Sequence, residues 1–287
     1  MTDDVHPSAE PRSGRDLQGV GRAFAVLEQV GDRPMRASDI ARNLGLPWAT
    51  THRLLTYLTE RGYLERDAAD RRYSVGVRAY ALGSSYLARL PLHHVSHPYL
   101  EAAATVSRAT AQLVKRDHRR SVILSVAEAP RHHIPEATIG CNYPLHCGSK
   151  GHVLLAYADP AFVDDYLDRP LEALTPMTIV DPAVLRDRFA EVRARGYAVT
   201  DRDVRLFSAS VAAPVFGATD EVVASLTLLV SPPELRKRQS ELVELVLRTA
   251  RGVSGLRSDS LWPEPIGGAG RPRVIRNAPA TPARSRP

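Results

Sequence analysis

The chain has 287 residues, 44% of them hydrophobic, which is enough for two cores, and it has no uninterrupted apolar run of membrane-spanning length. Its N-terminus is acidic where a signal peptide is basic and then apolar, and its two cysteines, Cys141 and Cys147, exclude a disulfide scaffold, so a soluble cytoplasmic protein is expected. The net charge of +6 suits a nucleic-acid partner, but Arg271, Arg273, Arg276, Arg284 and Arg286 crowd the last stretch against Glu264 alone, leaving the rest close to balanced.

Residues 1–16 are polar and uncapped and read as a mobile arm. A helix is expected from near Val20, with Ala23, Val26, Leu27 and Val30 as its buried stripe and Gly31-Asp32-Arg33-Pro34 as its end. Two short amphipathic patterns follow. In the first, Ile40, Ala41 and Leu44 share a face, Asp39 favours the helix N-terminus, and Gly45 can take the left-handed conformation that stops it. Pro47 is expected in the first turn of the next helix, where its missing N–H costs nothing. There Thr51, Leu54, Leu55 and Leu58 fall at i, i+3, i+4 and i+7, turning Ala49, His52, Arg53 and Thr56 outward, with Trp48 at the flank and Thr50 placed for a phosphate hydrogen bond. This is a helix-turn-helix pattern. Gly62-Tyr-Leu-Glu-Arg, a polar turn at Asp67-Ala-Ala-Asp and Arg71-Arg-Tyr-Ser-Val add two short strands, which makes a winged domain over residues 17–77. Such a helix fits a major groove about 12 Å wide, and Arg71 and Arg72, at the base of the wing, would reach backbone phosphate. Two helices packed in a bundle with a solvated basic face are the plainer alternative, against which the Gly-Leu-Pro turn and the wing both argue.

Val77 to Ala88, carrying Tyr80, Ala81, Leu82, Tyr86 and Leu87, reads as a linking helix whose apolar excess suits packing against a second subunit. A further helix is expected over His94 to Ala109, with Leu100, Ala103 and Ala104 inward. From Ala111 the period becomes strand-like, first at Gln112-Leu-Val-Lys and then from Val122 to Ala127. Helices are expected at His152 to Ala158, Ala161 to Leu167 and Ala183 to Arg195, the last stopped by Gly196. Strands are expected at Tyr197 to Thr200, Ala209 to Val215 and Val222 to Leu229, and a closing helix from Glu234 to about Val253. Helices grouped around runs of strands imply an antiparallel or mixed sheet covered by helices, an α+β domain over residues 78–261 once the linking helix is included. Residues 262–287 mix Pro, Gly, Ala, Ser and Arg and read as a disordered tail, either a source of non-specific phosphate attraction or a solubilising extension.

These residues resemble the IclR family of bacterial transcriptional regulators over about Leu17 to Leu256. The resemblance rests on Gly45-Leu-Pro with Thr50, His52-Arg-Leu-Leu and Gly62-Tyr-Leu, and in the second part on Pro144-Leu-His, Gly151, Thr175-Pro-Met-Thr-Ile, Arg193-Ala-Arg-Gly-Tyr-Ala, Ala212-Ala-Pro-Val-Phe and Val222-Val-Ala-Ser-Leu. It implies a winged domain on double-stranded operator DNA, a linking helix used in dimerisation, a C-terminal effector-binding domain similar to GAF and PAS sensors, and dimers or tetramers with no cofactor. It also implies an effector pocket at Ser149, Lys150, Thr200, Ser210 and Thr227. The chain departs from the family there: Gly151-His152 stands for the usual Gly-Lys, with Lys150 ahead of it, the acidic residue usual near Thr200 is absent, Phe207 stands where a Gly is expected and Ser210 where Cys is frequent.

By chemistry alone, the added lysine and four hydroxyls favour an anionic or oxygen-rich ligand; the alternative is that Lys150 faces solvent and the hydroxyls satisfy strand ends. His132, His133, Cys141, His146, Cys147 and His152 offer a competing reading as a metal-responsive site, although no Cys-x-x-Cys pair occurs. An enzyme is not expected, since the chain lacks a Gly-x-Ser-x-Gly elbow, a phosphate-cradling Gly-rich loop and a close carboxylate pair.

Overall fold

The computed structural model describes residues 14–130 and 138–255; the tail, residues 1–13 of the expected arm, and His132 and His133 lie outside them. The chain divides into two compact units, with the break between Arg89 and Leu90. Among the described residues no helix is long and apolar enough to cross a membrane.

In the first unit, α1 (Gly14–Asp32) begins well before Val20, because a helix once nucleated extends through any residues that lack a breaker. Residues 14–16 therefore belong to α1 and not to an arm. β1 (Met35–Arg36), α2 (Ala37–Leu44), α3 (Trp48–Glu60), β2 (Leu64–Arg66), β3 (Arg72–Val75) and α4 (Val77–Ala88) follow. The strands form a small antiparallel sheet in the order β1-β3-β2, with Met35 opposite Tyr73 and Leu64 opposite Val75. Two-residue β1 is too short to leave a periodic signature. Val26, Val30, Met35, Ile40, Leu55, Leu58, Leu64 and Tyr73 form one core, so the stripes expected on α1, α2 and α3 meet as their spacing requires. α4 buries none of its residues within the protomer, and Val77, Tyr80, Leu82 and Tyr86 are exposed.

The second unit contains α5 (Pro91–Ser107), β4 (Thr110–Asp117), β5 (Arg120–Glu128), β6 (Asn142–Pro144), α6 (Gly148–Ala156), α7 (Pro160–Leu167), α8 (Pro182–Arg195), β7 (Ala198–Asp201), β8 (Ala209–Phe216), β9 (Val222–Val230) and α9 (Pro232–Gly255). Its six strands pair antiparallel throughout in the order β6-β5-β4-β9-β8-β7. α5 and α9 pack on one face of this sheet, and α6, backed by α8, packs on the other. With both faces covered, β8 reads as a continuous buried run. α5 starts at Pro91, three residues before the expected His94, since proline is well suited to the first helical turn.

α6 starts at Gly148, four residues before the expected His152. Its glycine-bearing first turn hides it in the sequence. The glycine at 151 is needed for packing: a Cβ there would stand 2.0 Å from the Leu145 carbonyl oxygen. That close approach seats the start of α6 against the β6–α6 loop.

Candidate functional site

The exposed face of α3 is built locally. Gly45 takes a left-handed φ of 61°, and the Leu46 N–H closes on the Ala41 carbonyl at 3.0 Å, ending α2. Pro47 is the N-cap of α3 and not a first-turn residue: its ψ of 143° is extended, and its carbonyl accepts from the Thr51 N–H at 3.0 Å and from the Thr51 hydroxyl at 3.2 Å. An N-cap contributes its carbonyl to the helix while its own N–H stays outside, so proline is tolerated one position earlier than expected. Thr51, Leu55 and Leu58 are buried, which turns Ala49, His52, Arg53 and Thr56 outward, with Thr50 half-buried. Trp48 is 58% exposed, and its ring lies 6.2 Å from that of His52. Arg53 has no ion-pair partner among the described residues.

In the wing, the Asp67 carboxylate accepts from the Ala69 and Asp70 amides at 2.7 and 3.0 Å, and these bonds hold its pKa below the ordinary value. Arg71 has a left-handed φ of 59°, and Arg72 pairs with Asp70 at 3.1 Å. Both arginines therefore sit at the tip end of the hairpin, not at its base, because the turn extends to Arg71 before β3 begins. Arg71 is exposed without an ion pair among the described residues, whereas the charge of Arg72 is partly neutralised.

The second cluster lies beneath the N-terminus of α6 and is assembled from distant segments. The Ser149 hydroxyl lies 2.7 Å from that of Ser210, the Thr200 hydroxyl lies 3.1 Å from Ser210, and the Ser149 N–H donates to Thr200 Oγ1 at 3.1 Å. Three of the expected residues thus form one buried ring of hydroxyls, placed by the pairing of Thr200 with Ser210 across β7 and β8. Lys150 is 5% exposed, so it does not face solvent; its Nζ lies 4.3 Å from the centre of the Tyr143 ring, and no carboxylate oxygen of a described residue comes within ion-pair distance. Burial lowers its pKa from 10.5 to about 8, against the opposing pull of Asp203.

A cavity of about 20 Å³ adjoins this ring, lined in part by Gln112, Tyr143, Lys150, Asp203, Arg205 and Ser210. That is room for about one water. Thr227 does not line it. It sits one register step further along the sheet, opposite Ala212 and Gln112, fully buried. Among the described residues its hydroxyl has no hydrogen-bond partner, and the same holds for Thr110 and Ser225 nearby on β4 and β9. Sequence reasoning missed Asp203, whose carboxylate accepts the Gly148 N–H at 2.7 Å, and also Arg205, Tyr143 and Gln112. Arg202, at a φ of 63°, bends the chain beside Asp203, and no residue pattern announces that bend.

His146 and His152, the described histidines of the competing metal reading, are engaged otherwise. His146 shares hydrogen bonds with the Tyr166 hydroxyl at 2.8 Å and the Glu172 carbonyl at 2.9 Å, while His152 meets the His146 carbonyl at 2.9 Å. Burial lowers both pKa values. Among the described residues no three His, Cys, Asp or Glu side chains gather to hold a metal, so Cys141, His146, Cys147 and His152 do not by themselves form such a site. A larger, open depression of about 550 Å³ lies where α5 ends and α9 begins, but Arg238 in its wall is already held by Glu241, Glu234 and the Ser107 carbonyl.

Two family models match the chain: the IclR helix-turn-helix domain over residues 19–68 and the bacterial transcriptional regulator IclR C-terminal domain over residues 84–255. The HTH-type transcriptional regulator BhcR of Paracoccus denitrificans is 31% identical over 245 residues, spanning 83% of this chain and 86% of that protein. Among solved structures, an IclR transcriptional regulator from Alicyclobacillus acidocaldarius superposes with a TM-score of 0.71 at 28% identity, covering 83% of this chain and 98% of that one. An IclR homologue from Microbacterium hydrocarbonoxydans complexed with 4-hydroxybenzoate gives 0.69 at 28% identity, covering 83% and 98%. With the helix-turn-helix in one unit and the helix-covered antiparallel sheet in the other, the chain belongs to the IclR family of bacterial regulators and is an effector-modulated, DNA-binding transcription factor, not an enzyme.

Proposed function

We propose that this cytoplasmic regulator reads a palindromic operator as a dimer or tetramer, with residues 17–77 on DNA and residues 78–261 sensing a small anionic or oxygen-rich metabolite. Trp48, Ala49, Thr50, His52 and Arg53 enter the major groove, and Arg71 and Arg72 contact phosphate at its edge. The exposed apolar residues of α4 support a second copy as the partner that covers them. The ligand shifts operator affinity by binding one dimer arrangement better than the other, which is all that linkage requires.

The observation that carries the effector class is the buried Lys150 amine, which faces a cavity and has no carboxylate at ion-pair distance. A buried cation without a counter-ion is costly, and an anionic ligand would remove that cost. Ser149, Thr200 and Ser210 supply hydroxyls beside it. The 4-hydroxybenzoate carried by the Microbacterium homologue, a carboxylate, fits this class. A thermal-shift screen of small carboxylates against neutral aromatics, followed by calorimetry, tests the reading. Lys150→Ala is expected to weaken an anionic hit by about 1.5–3 kcal/mol and to leave operator binding by the ligand-free protein unchanged. Equal affinity of wild type and variant would leave Lys150 outside the recognition site.

A further inference from the structure

We propose that Trp48 makes the leading end of α3 a reader of thymine, recognising the C5-methyl group that this base alone presents in the major groove. The inference rests on the reading above that α3 enters the groove, and adds which base edge that end of the helix selects. In a helix-turn-helix the N-terminal residues of the second helix are the ones that meet base edges. Here Pro47, Trp48 and Ala49 are all exposed, and none of their side chains carries a charge, a carboxamide or a hydroxyl. The side chains that pair with guanine and adenine, a guanidinium or a carboxamide, are therefore missing from this turn; in α3 the first is Arg53. Trp48 is 58% exposed, so most of the indole is open to a partner. The His52 ring stands 6.2 Å away at a tilt of 46°, and backs the indole one turn along the helix.

An indole offers an apolar surface and a single N–H donor, with no acceptor. Thymine is the base whose major-groove edge joins a methyl group to an acceptor, O4. Guanine has acceptors without a methyl, and adenine and cytosine present an amino donor that an indole cannot accept. Both features of Trp48 thus find their counterparts on one base. Five residues separate Trp48 from Arg53, about 7.5 Å of helix axis. At about 3.4 Å per base pair, the thymine lies within about two or three base pairs of a guanine met by Arg53.

The test uses the full-length protein and a duplex that it selects from a random-sequence library. Each thymine is replaced in turn by uracil, which removes the methyl group and keeps O4 and the base pairing, and each guanine by 7-deazaguanine, which removes N7. Uracil at one thymine position is expected to weaken binding about fourfold, the effect of one buried methyl group, with little change at the other thymines. Trp48 lies outside the core of its unit, so Trp48→Ala should fold normally. In that variant the thymine and uracil duplexes should bind alike, while the loss on 7-deazaguanine persists. Trp48→Phe, which keeps an apolar ring, should retain part of the preference for thymine. A preference for thymine that survives Trp48→Ala unchanged overturns the proposal, because another side chain then meets the methyl group. Tolerance of uracil at every position, with 7-deazaguanine still harmful, overturns the thymine assignment and leaves α3 in the groove. Tolerance of both replacements at every position overturns the placement of α3 as well.

Discussion

The face of α3 and the pocket under α6 are opposite solutions to presenting polar groups. On α3, Ala49, His52 and Arg53 stand in water, held in place only by the buried Thr51, Leu55 and Leu58 on the other side of the same helix. Under α6, Ser149, Lys150, Thr200, Ser210 and Thr227 are buried and placed by contacts across long stretches of chain. The first surface is set by a period of 3.6 residues, the second by strand register and one close backbone approach. Substitutions that leave composition nearly unchanged should therefore be tolerated in the first region and not in the second.

Two glycines give the sharpest contrast. An alanine Cβ at 151 would lie 2.0 Å from the Leu145 carbonyl oxygen, so backbone must move; Gly151→Ala is expected to destabilise the second unit by roughly 3–5 kcal/mol. At Gly45 nothing lies within 4 Å and only the left-handed φ opposes a side chain, so Gly45→Ala should cost about 1–2 kcal/mol in the first unit. Calorimetric unfolding of the two variants measures the gap. Comparable losses would show that α6 can slide away from the β6–α6 loop and that its seat is softer than the geometry implies.

Lys150 adds an electrostatic form of the same contrast. Its pKa is about 8 when folded against 10.5 when unfolded, so between these values the unfolded chain holds the extra proton and stability rises with pH. Below about pH 8 both states are protonated and the penalty, about 3 kcal/mol, is fully present. Lys150→Met should therefore make the ligand-free protein more stable by that order at pH 7, and the difference between variant and wild type should shrink from pH 8 to pH 10.5. Denaturant titrations across that range provide the check. A variant less stable than wild type at every pH would mean that the contact with Tyr143 outweighs desolvation.

The same division explains what was legible in the sequence. Val77–Ala88 and the end of α8 at Gly196 follow directly from local pattern, because proline, glycine and apolar spacing act within a few residues. β1 and β6 were not legible, since two or three residues carry no period and pair only because partners arrive from elsewhere. At the pocket, family resemblance led to Ser149, Thr200 and Ser210, which meet, but not to Asp203, which depends on a left-handed residue at Arg202. Thr227 faces the same side of the sheet as Ser210 but lies too far along β9 to line the cavity as it stands.

On the DNA side smaller effects are expected, because each exposed residue acts nearly alone. Arg53→Ala should cost about 1–3 kcal/mol on the operator and much less on random DNA, as expected for a side chain that reads a base edge from the exposed side of α3. Titrations on both DNAs at one salt concentration separate the cases: equal weakening would make Arg53 a phosphate contact.

The wing offers the finest comparison, between neighbours of the same residue type. Arg71 projects from the hairpin turn without an ion pair among the described residues, while Arg72 already shares its charge with Asp70 at 3.1 Å. A phosphate reached by Arg71 meets a full charge and releases a counter-ion, so Arg71→Ala should reduce the slope of log affinity against log salt by about 1. Arg72 must first give up Asp70, and the pair is about half exposed, so the exchange gains little. Arg72→Ala should change the slope by less than Arg71→Ala, and Asp70→Asn should raise it by freeing Arg72. If Arg72→Ala has the larger effect, DNA binding breaks the Asp70 pair and the wing rearranges on contact. If neither substitution alters the slope, the wing stays clear of the phosphates and α3 alone holds the duplex.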